Sequence, residues 1–173
     1  METNWKQPGY VLKERYRFGE VLGEGGYGIT YRGYDLLKQE SVAVKELKGS
    51  VEENYLTVMQ KLQQMGKIPG MVQIKEILTE DNVIYVVMEY IEGLNGVELL
   101  NAKGRQTQAQ TAEIMTPVIA ALQYLHNQGM LHRDISTDNI IIDKNGKGTL
   151  VDFGSVCMDI EGEDVAEIKA VEQ

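Results

Sequence analysis

The run Leu131-His132-Arg133-Asp134-Ile135-Ser136-Thr137-Asp138-Asn139, followed by the turn Asp152-Phe153-Gly154, constrains this chain more than any other feature. Between them, Ile140-Ile141-Ile142 reads as a short buried strand and Asp143-Lys144-Asn145-Gly146 as a turn. Thr149-Leu150-Val151 reads as the returning strand. A hairpin of that shape brings Asp134, Asn139 and Asp152 to one end. Side-chain oxygens gathered there suit a hard, octahedral cation that carries phosphates. A single acidic turn is usually a solvated loop. Two of them around one hairpin, with His-Arg before and Phe-Gly after, form a far rarer pattern.

Upstream, residues 16–22 read as a strand, and a second strand resumes at 29–34. The link is Gly23-Glu24-Gly25-Gly26-Tyr27-Gly28, which taken alone is a tight hairpin. A dinucleotide fingerprint needs a strand followed by a helix, and here a strand follows. Bare backbone in such a turn can approach phosphates because no side chain blocks it. Ser41-Val42-Ala43-Val44-Lys45-Glu46-Leu47 alternates as a third strand, and a lysine at its end is by itself a solvated charge. Apolar residues at 51, 55, 58, 59, 62 and 65 predict a helix over 51–65. Residues 74–78 and 83–87 predict a hairpin about Thr79-Glu80-Asp81-Asn82, and 95–101 a short helix. Ile114, Val118, Leu122 and Leu125 mark a long helix over 107–128, with Pro117 as a kink and Gly129 as its stop.

In order and spacing these motifs resemble the glycine-rich loop, catalytic loop and metal-binding turn of eukaryotic-type serine/threonine protein kinases, a family found also in bacteria. The likeness runs over 16–154. It implies an α+β, protein-kinase-like fold. A leader at 1–15 would precede a five-stranded antiparallel small lobe at 16–91 and a shortened, mainly helical large lobe at 92–173. It implies ATP and Mg2+ as cofactors. By the same resemblance Asp134 accepts or orients the substrate's hydroxyl proton, Asn139 and Asp152 hold magnesium, and Lys45 grips the α- and β-phosphates. Leu22, Gly23, Glu24, Gly25, Gly26 and Gly28 would cover the nucleotide. Thr30, Ala43 and Ile141 would sandwich adenine, with Glu89 and Ile91 bonding it through their backbone. Met88 would gate the pocket behind, and Asn95 would lie near the ribose. His132 resembles the spine histidine that packs under Phe153.

The chain departs from the family pattern at three places. Ser136 stands where many members carry a lysine that contacts the transferred group, although His-Arg-Asp-Ile-Ser is frequent in bacterial members. With the register anchored on Pro69-Gly70-Met71-Val72, the helix position of the lysine-pairing glutamate falls on Val58. Glu52 and Glu53 lie too close to Lys45 in sequence to reach back. After Gly154 the chain holds Asp159, Glu161, Glu163, Asp164, Glu167 and Glu172 against Lys169, without an Ala-Pro-Glu, and reads as a solvated, fraying helix. Ser155 is the sole hydroxyl after Gly154, which argues against a phosphorylation switch on Arg133.

Two functions fit this reading. One is transfer of the ATP γ-phosphoryl group to Ser or Thr of a protein; the alternative is a catalytically weak or inactive nucleotide-binding regulatory module. The shortened large lobe is expected to leave apolar surface beneath the His132 loop for a regulatory protein partner or for self-association. Composition narrows the rest. The 173 residues, 43% hydrophobic, suffice for one core. The 26 acidic residues against 17 basic argue against a nucleic-acid partner. The single cysteine, Cys157, fits a reducing compartment. No apolar run follows the N-terminus, and the best one, 83–91, is interrupted by Glu89 and too short to cross a bilayer. A cytoplasmic protein without a membrane partner is expected.

Overall fold

The computed structural model describes residues 5–49 and 53–158. The chain divides into two compact units. The first runs through Ile68 and takes in Val72–Ile91; the second comprises Pro69–Met71 and the chain from Glu92 onward. Glu52 and the acidic residues from Asp159 to the C-terminus lie outside the described residues.

The first unit is an antiparallel sheet with one helix. Its strands are β1 (Val11–Leu12), β2 (Tyr16–Gly25), β3 (Gly28–Asp35), β4 (Glu40–Leu47), β5 (Ile74–Glu80) and β6 (Val83–Glu89), with helix α1 (Glu53–Met65) between β4 and β5. The spatial order is β1-β2-β3-β4-β6-β5. Directly opposed residues in such ladders share a face, so register assigns the two faces. Tyr31 opposes Val44, Val44 opposes Val87, and Glu46 opposes Tyr85. That face carries the core cluster of Leu12, Tyr16, Phe18, Ile29, Tyr31, Val42, Val44, Tyr85 and Val87. The Phe18 ring sits 4.8 Å from Tyr31 and edge-on to Tyr10 and Tyr85, the arrangement aromatic quadrupoles favour. Thr30, Ala43, Lys45, Val86 and Met88 take the other face.

The sheet has a sixth strand where five were expected. Val11–Leu12 pairs with Arg17 and Tyr16, and Leu12 is wholly buried. Gly9 N–H donates to the Phe18 carbonyl, and Phe18 N–H donates to that of Tyr10. The polar look of residues 1–15 concealed two apolar side chains, Tyr10 and Leu12, that cap the aromatic cluster. Between β5 and β6 the expected four-residue turn narrows to Asp81 and Asn82, both at positive φ, as a two-residue hairpin of matching twist requires. On α1, Val58, Met59 and Leu62 are buried, and the helix packs against β5.

A polar knot closes the β3–β4 end. Arg15 grips the buried Asp35 carboxylate with Nε and Nη2 at 3.0 and 2.7 Å, and Leu37 and Lys38 N–H groups donate to it as well. The Arg15 bond, foremost, holds the Asp35 carboxyl down at about 2. Removing the guanidinium leaves a buried carboxylate short of donors. Arg15→Ala is expected to cost about 1–3 kcal/mol in urea unfolding near neutrality. Because the folded pKa is depressed, this stabilisation is full above the ordinary carboxylate range and is lost as pH falls toward about 2. The wild-type-to-variant gap should therefore close over that acid interval.

The second unit contains β7 (Leu94–Asn95), α2 (Gly96–Lys103), α3 (Gln108–Asn127), β8 (Met130–Leu131), β9 (Ile140–Ile142), β10 (Gly148–Leu150) and β11 (Cys157–Met158). Both helices open with a capping box, Asn95 with Glu98 and Thr107 with Gln110. Helix α3 runs through Pro117 and ends before Gly129, whose φ is +68°. Val118, Ala121 and Leu125 face the interior, and Ile114 and Leu122 are half-buried. The antiparallel pair β9–β10 is the hairpin expected after Asn139, displaced by one residue on its return strand. No helix of the described residues is long and apolar enough to cross a membrane.

Candidate nucleotide and phosphotransfer site

Within the first unit the glycine turn is a hairpin in which Gly25 opposes Gly28, Glu24 opposes Ile29 and Gly23 opposes Thr30. Its glycines have two different reasons. A Cβ on Gly23, Gly25 or Gly26 would meet nothing within 4 Å. On Gly28, at φ +152°, it would lie 2.1 Å from the Glu46 carbonyl oxygen. Three glycines thus keep the hairpin's backbone bare, and one lets it pack on β4. Leu22, just before the turn, is exposed.

Thr30, Ala43, Lys45 and Met88 share the face opposite the aromatic core, as register dictates. Lys45 is only 8% exposed, rare for a lysine, and its ammonium stands 5.9 Å from the Tyr27 ring centroid in the turn. Met88 is buried beside Ala43. Glu89 ends β6 with its N–H on the Gln73 carbonyl and its carboxylate on the Lys67 ammonium, and half-buried Ile91 follows. Val58, at the expected glutamate position, is wholly buried on α1.

Within the second unit the loop residues gather. Asn139 Nδ2 donates to the Asp134 backbone carbonyl at 3.1 Å and to its Oδ2 at 3.0 Å. Val151 N–H donates to the Asn139 carbonyl, drawing the Asp152 turn alongside. Asp152 Oδ1 accepts the Gly154 N–H at 2.8 Å. Arg133 holds a left-handed φ of +59° and donates through Nε to the Ser155 carbonyl, tying the loop to that turn. Such backbone strain in a side-chain-bearing residue persists only where its surroundings enforce it. Asn95 and Ile141 are cross-strand neighbours on β7 and β9. The Asn95 side-chain carbonyl caps α2 by accepting the Glu98 N–H at 2.8 Å.

His132 is 2% exposed, edge-on to Phe153 at 5.6 Å. Its Nδ1 accepts the Asp134 N–H, which places the ring proton on Nε2. Burial pushes its pKa below the ordinary histidine value, opposed by the Asp152 backbone and by the Asp152 and Asp134 carboxylates. It is a neutral strut of the loop.

Among the described residues no three His, Cys, Asp or Glu side chains are placed to hold a metal by themselves. The donor set instead suits a cation whose remaining ligands are phosphates and water. With Nδ2 donating to Asp134, the Asn139 side chain keeps Oδ1 as its acceptor, and the Val151 N–H on the Asn139 carbonyl brings Asp152 near it along the backbone. These residues fit the group.

The family model described as Protein kinase domain matches residues 16–169. The chain belongs to the protein kinase family. It is 32% identical over 174 residues to "Probable serine/threonine-protein kinase YbdM" of Bacillus subtilis, covering 95% of this chain and 66% of that protein. It is 30% identical over 152 residues to CBL-interacting protein kinase 15 of Oryza sativa subsp. japonica and 31% over 160 residues to calcium-dependent protein kinase 14 of Arabidopsis thaliana. This kinase-family chain spans 35% and 30% of those two plant proteins. The α+β kinase-like fold expected from its motifs is the one observed. Protein kinase domains in general use ATP with a divalent metal and act on proteins.

Two contributors escaped the sequence reading. Tyr27 lies by Lys45, and Lys48 meets Glu24 in the glycine turn. Neither has a spacing signature, because both depend on how β4 lies against the hairpin.

Proposed function

We propose that this kinase-family chain transfers the γ-phosphoryl group of Mg-ATP to a Ser or Thr hydroxyl of a protein. The observation that supports the reading is the Asp134–Asn139 bond, with the Asp152 turn drawn alongside through the Val151 N–H on the Asn139 carbonyl.

Asp134 Oδ2, oriented by the Asn139 amide, accepts or directs the proton of the attacking hydroxyl. Asn139 Oδ1 and the Asp152 carboxylate would hold the metal. A magnesium ion held there would supply positive charge to offset the negative charge that develops on transfer. Lys45 neutralises the α- and β-phosphates. The bare hairpin of Gly23, Gly25 and Gly26, flanked by Leu22, Glu24 and Gly28, presents backbone N–H donors to the same phosphates. Thr30, Ala43 and Ile141 contact adenine, Glu89 and Ile91 bond its edge through their backbone, Met88 closes the rear and Asn95 meets the ribose. A protein substrate and a regulatory protein partner are the expected binding partners.

Thermal denaturation with and without Mg-ATP tests the binding step. At nucleotide near a hundred times Kd, linkage supplies about 2.7 kcal/mol, which for a chain of this size raises Tm by about 5–10 °C. Asp152→Ala should abolish the magnesium-dependent part. A wild-type Tm indifferent to Mg-ATP would reject the assignment.

A further inference from the structure

We infer that Lys48 is a positioning residue for the glycine hairpin and, through it, for the nucleotide phosphates; this rests on the nucleotide site proposed above. The hairpin needs an external tie. A Cβ on Gly23, Gly25 or Gly26 would meet nothing within 4 Å, so no side chain there anchors the hairpin, and glycine backbone is the most costly to hold in place. Lys48 supplies two ties from the end of β4. Its backbone N–H donates to the Tyr27 carbonyl at 3.2 Å, and its ammonium pairs with the Glu24 carboxylate. One residue just past the strand of Lys45 thus ties both the β2 arm and the tip of the hairpin.

Register makes the arrangement selective. Gly23, Thr30 and Lys45 oppose one another in succession and share one face; Glu24, Ile29 and Glu46 share the other. The clamp therefore grips from the face opposite Lys45 and leaves the lysine face open to phosphates. It also neutralises Glu24, the one carboxylate in the turn, which would otherwise repel a polyanion. The Lys48 bond is the foremost cause holding the Glu24 carboxyl below its ordinary range, and the Trp5 indole contributes. Trp5 is the only tryptophan in the chain, so its fluorescence reads the state of the hairpin directly.

The test compares wild type with Lys48→Met, Lys48→Arg, Glu24→Gln and the Lys48→Met/Glu24→Gln double variant. Amide hydrogen exchange of residues 23–28 is measured without nucleotide. Mg-ATP affinity is followed by Trp5 fluorescence, KM and kcat by labelled-phosphate transfer, and stability by urea unfolding. The clamp predicts faster exchange in Lys48→Met. It also predicts a rise in Kd and KM for ATP of about two- to fivefold, the range of an exposed ion pair, with kcat and the urea midpoint little changed. Lys48→Arg should restore wild-type values, and Glu24→Gln should add little once Lys48 is gone. Unchanged exchange would overturn the clamp whatever the nucleotide does. Faster exchange with unchanged Kd and KM would overturn its role in binding. If wild type itself ignores Mg-ATP, the functional reading is what fails, and the exchange result still decides whether the clamp exists.

Discussion

Asp134→Asn is expected to lower kcat for phosphotransfer by about two to four orders of magnitude while leaving ATP affinity near the wild-type value. The substitution removes the proton acceptor without removing its surroundings. Asn139 Nδ2 can still donate to an amide oxygen placed where Asp134 Oδ2 sits, and to the backbone carbonyl of residue 134. The His132 Nδ1 contact uses the backbone N–H of residue 134 and is untouched. The groups proposed to hold the metal, Asn139 Oδ1 and Asp152, are unaltered. Nucleotide titration and steady-state transfer of labelled phosphate to a Ser/Thr-containing protein separate the two effects. Equal kcat in both proteins would remove Asp134 from the chemistry and favour a regulatory, nucleotide-holding module.

The second large effect concerns Gly28. Gly28→Ala places a methyl group 2.1 Å from the Glu46 carbonyl oxygen at a φ of +152°, where a side chain is also strained. Either β3 or β4 must shift, because backbone on both sides cannot rotate away. A loss of about 2–4 kcal/mol is expected, from steric displacement and strain together. Gly26→Ala, only two residues away, points its methyl into open space and should change stability by less than about 1 kcal/mol. It should nevertheless weaken Mg-ATP binding, since the new side chain occupies the space through which backbone approaches phosphate. Urea unfolding paired with nucleotide titration distinguishes the two glycines. A Gly28→Ala protein as stable as wild type would contradict the packing described for this hairpin.

Much of this was legible in the residues. The loop 131–139, the Ile140-Ile141-Ile142 strand and the Asp152 turn announced their own hairpin, because short-range hydrogen bonds and alternation decide it. Strict alternation in β4 likewise placed Ala43 and Lys45 on one face and Val42 and Val44 on the other. What escaped is non-local. The strand Val11–Leu12 exists because Leu12 finds Tyr16 and Phe18 across a turn, a fact that a polar fifteen-residue segment does not advertise. The Arg15–Asp35 knot and the Lys48–Glu24 pair join residues 20 and 24 positions apart, with no periodicity to flag them. Gly28 looked like its neighbours in the glycine cluster; only the approach of Glu46 separates them.

The proposed site is tested most directly by a crystal structure of the chain with magnesium and a non-hydrolysable ATP analogue. It predicts a magnesium ion about 2.0–2.1 Å from Asn139 Oδ1 and an Asp152 carboxylate oxygen, the octahedral distance for that ion. The Lys45 ammonium should reach the α- and β-phosphates beneath the amides of residues 23–26. A map with the triphosphate elsewhere, or with a metal that bypasses Asn139 and Asp152, would contradict it.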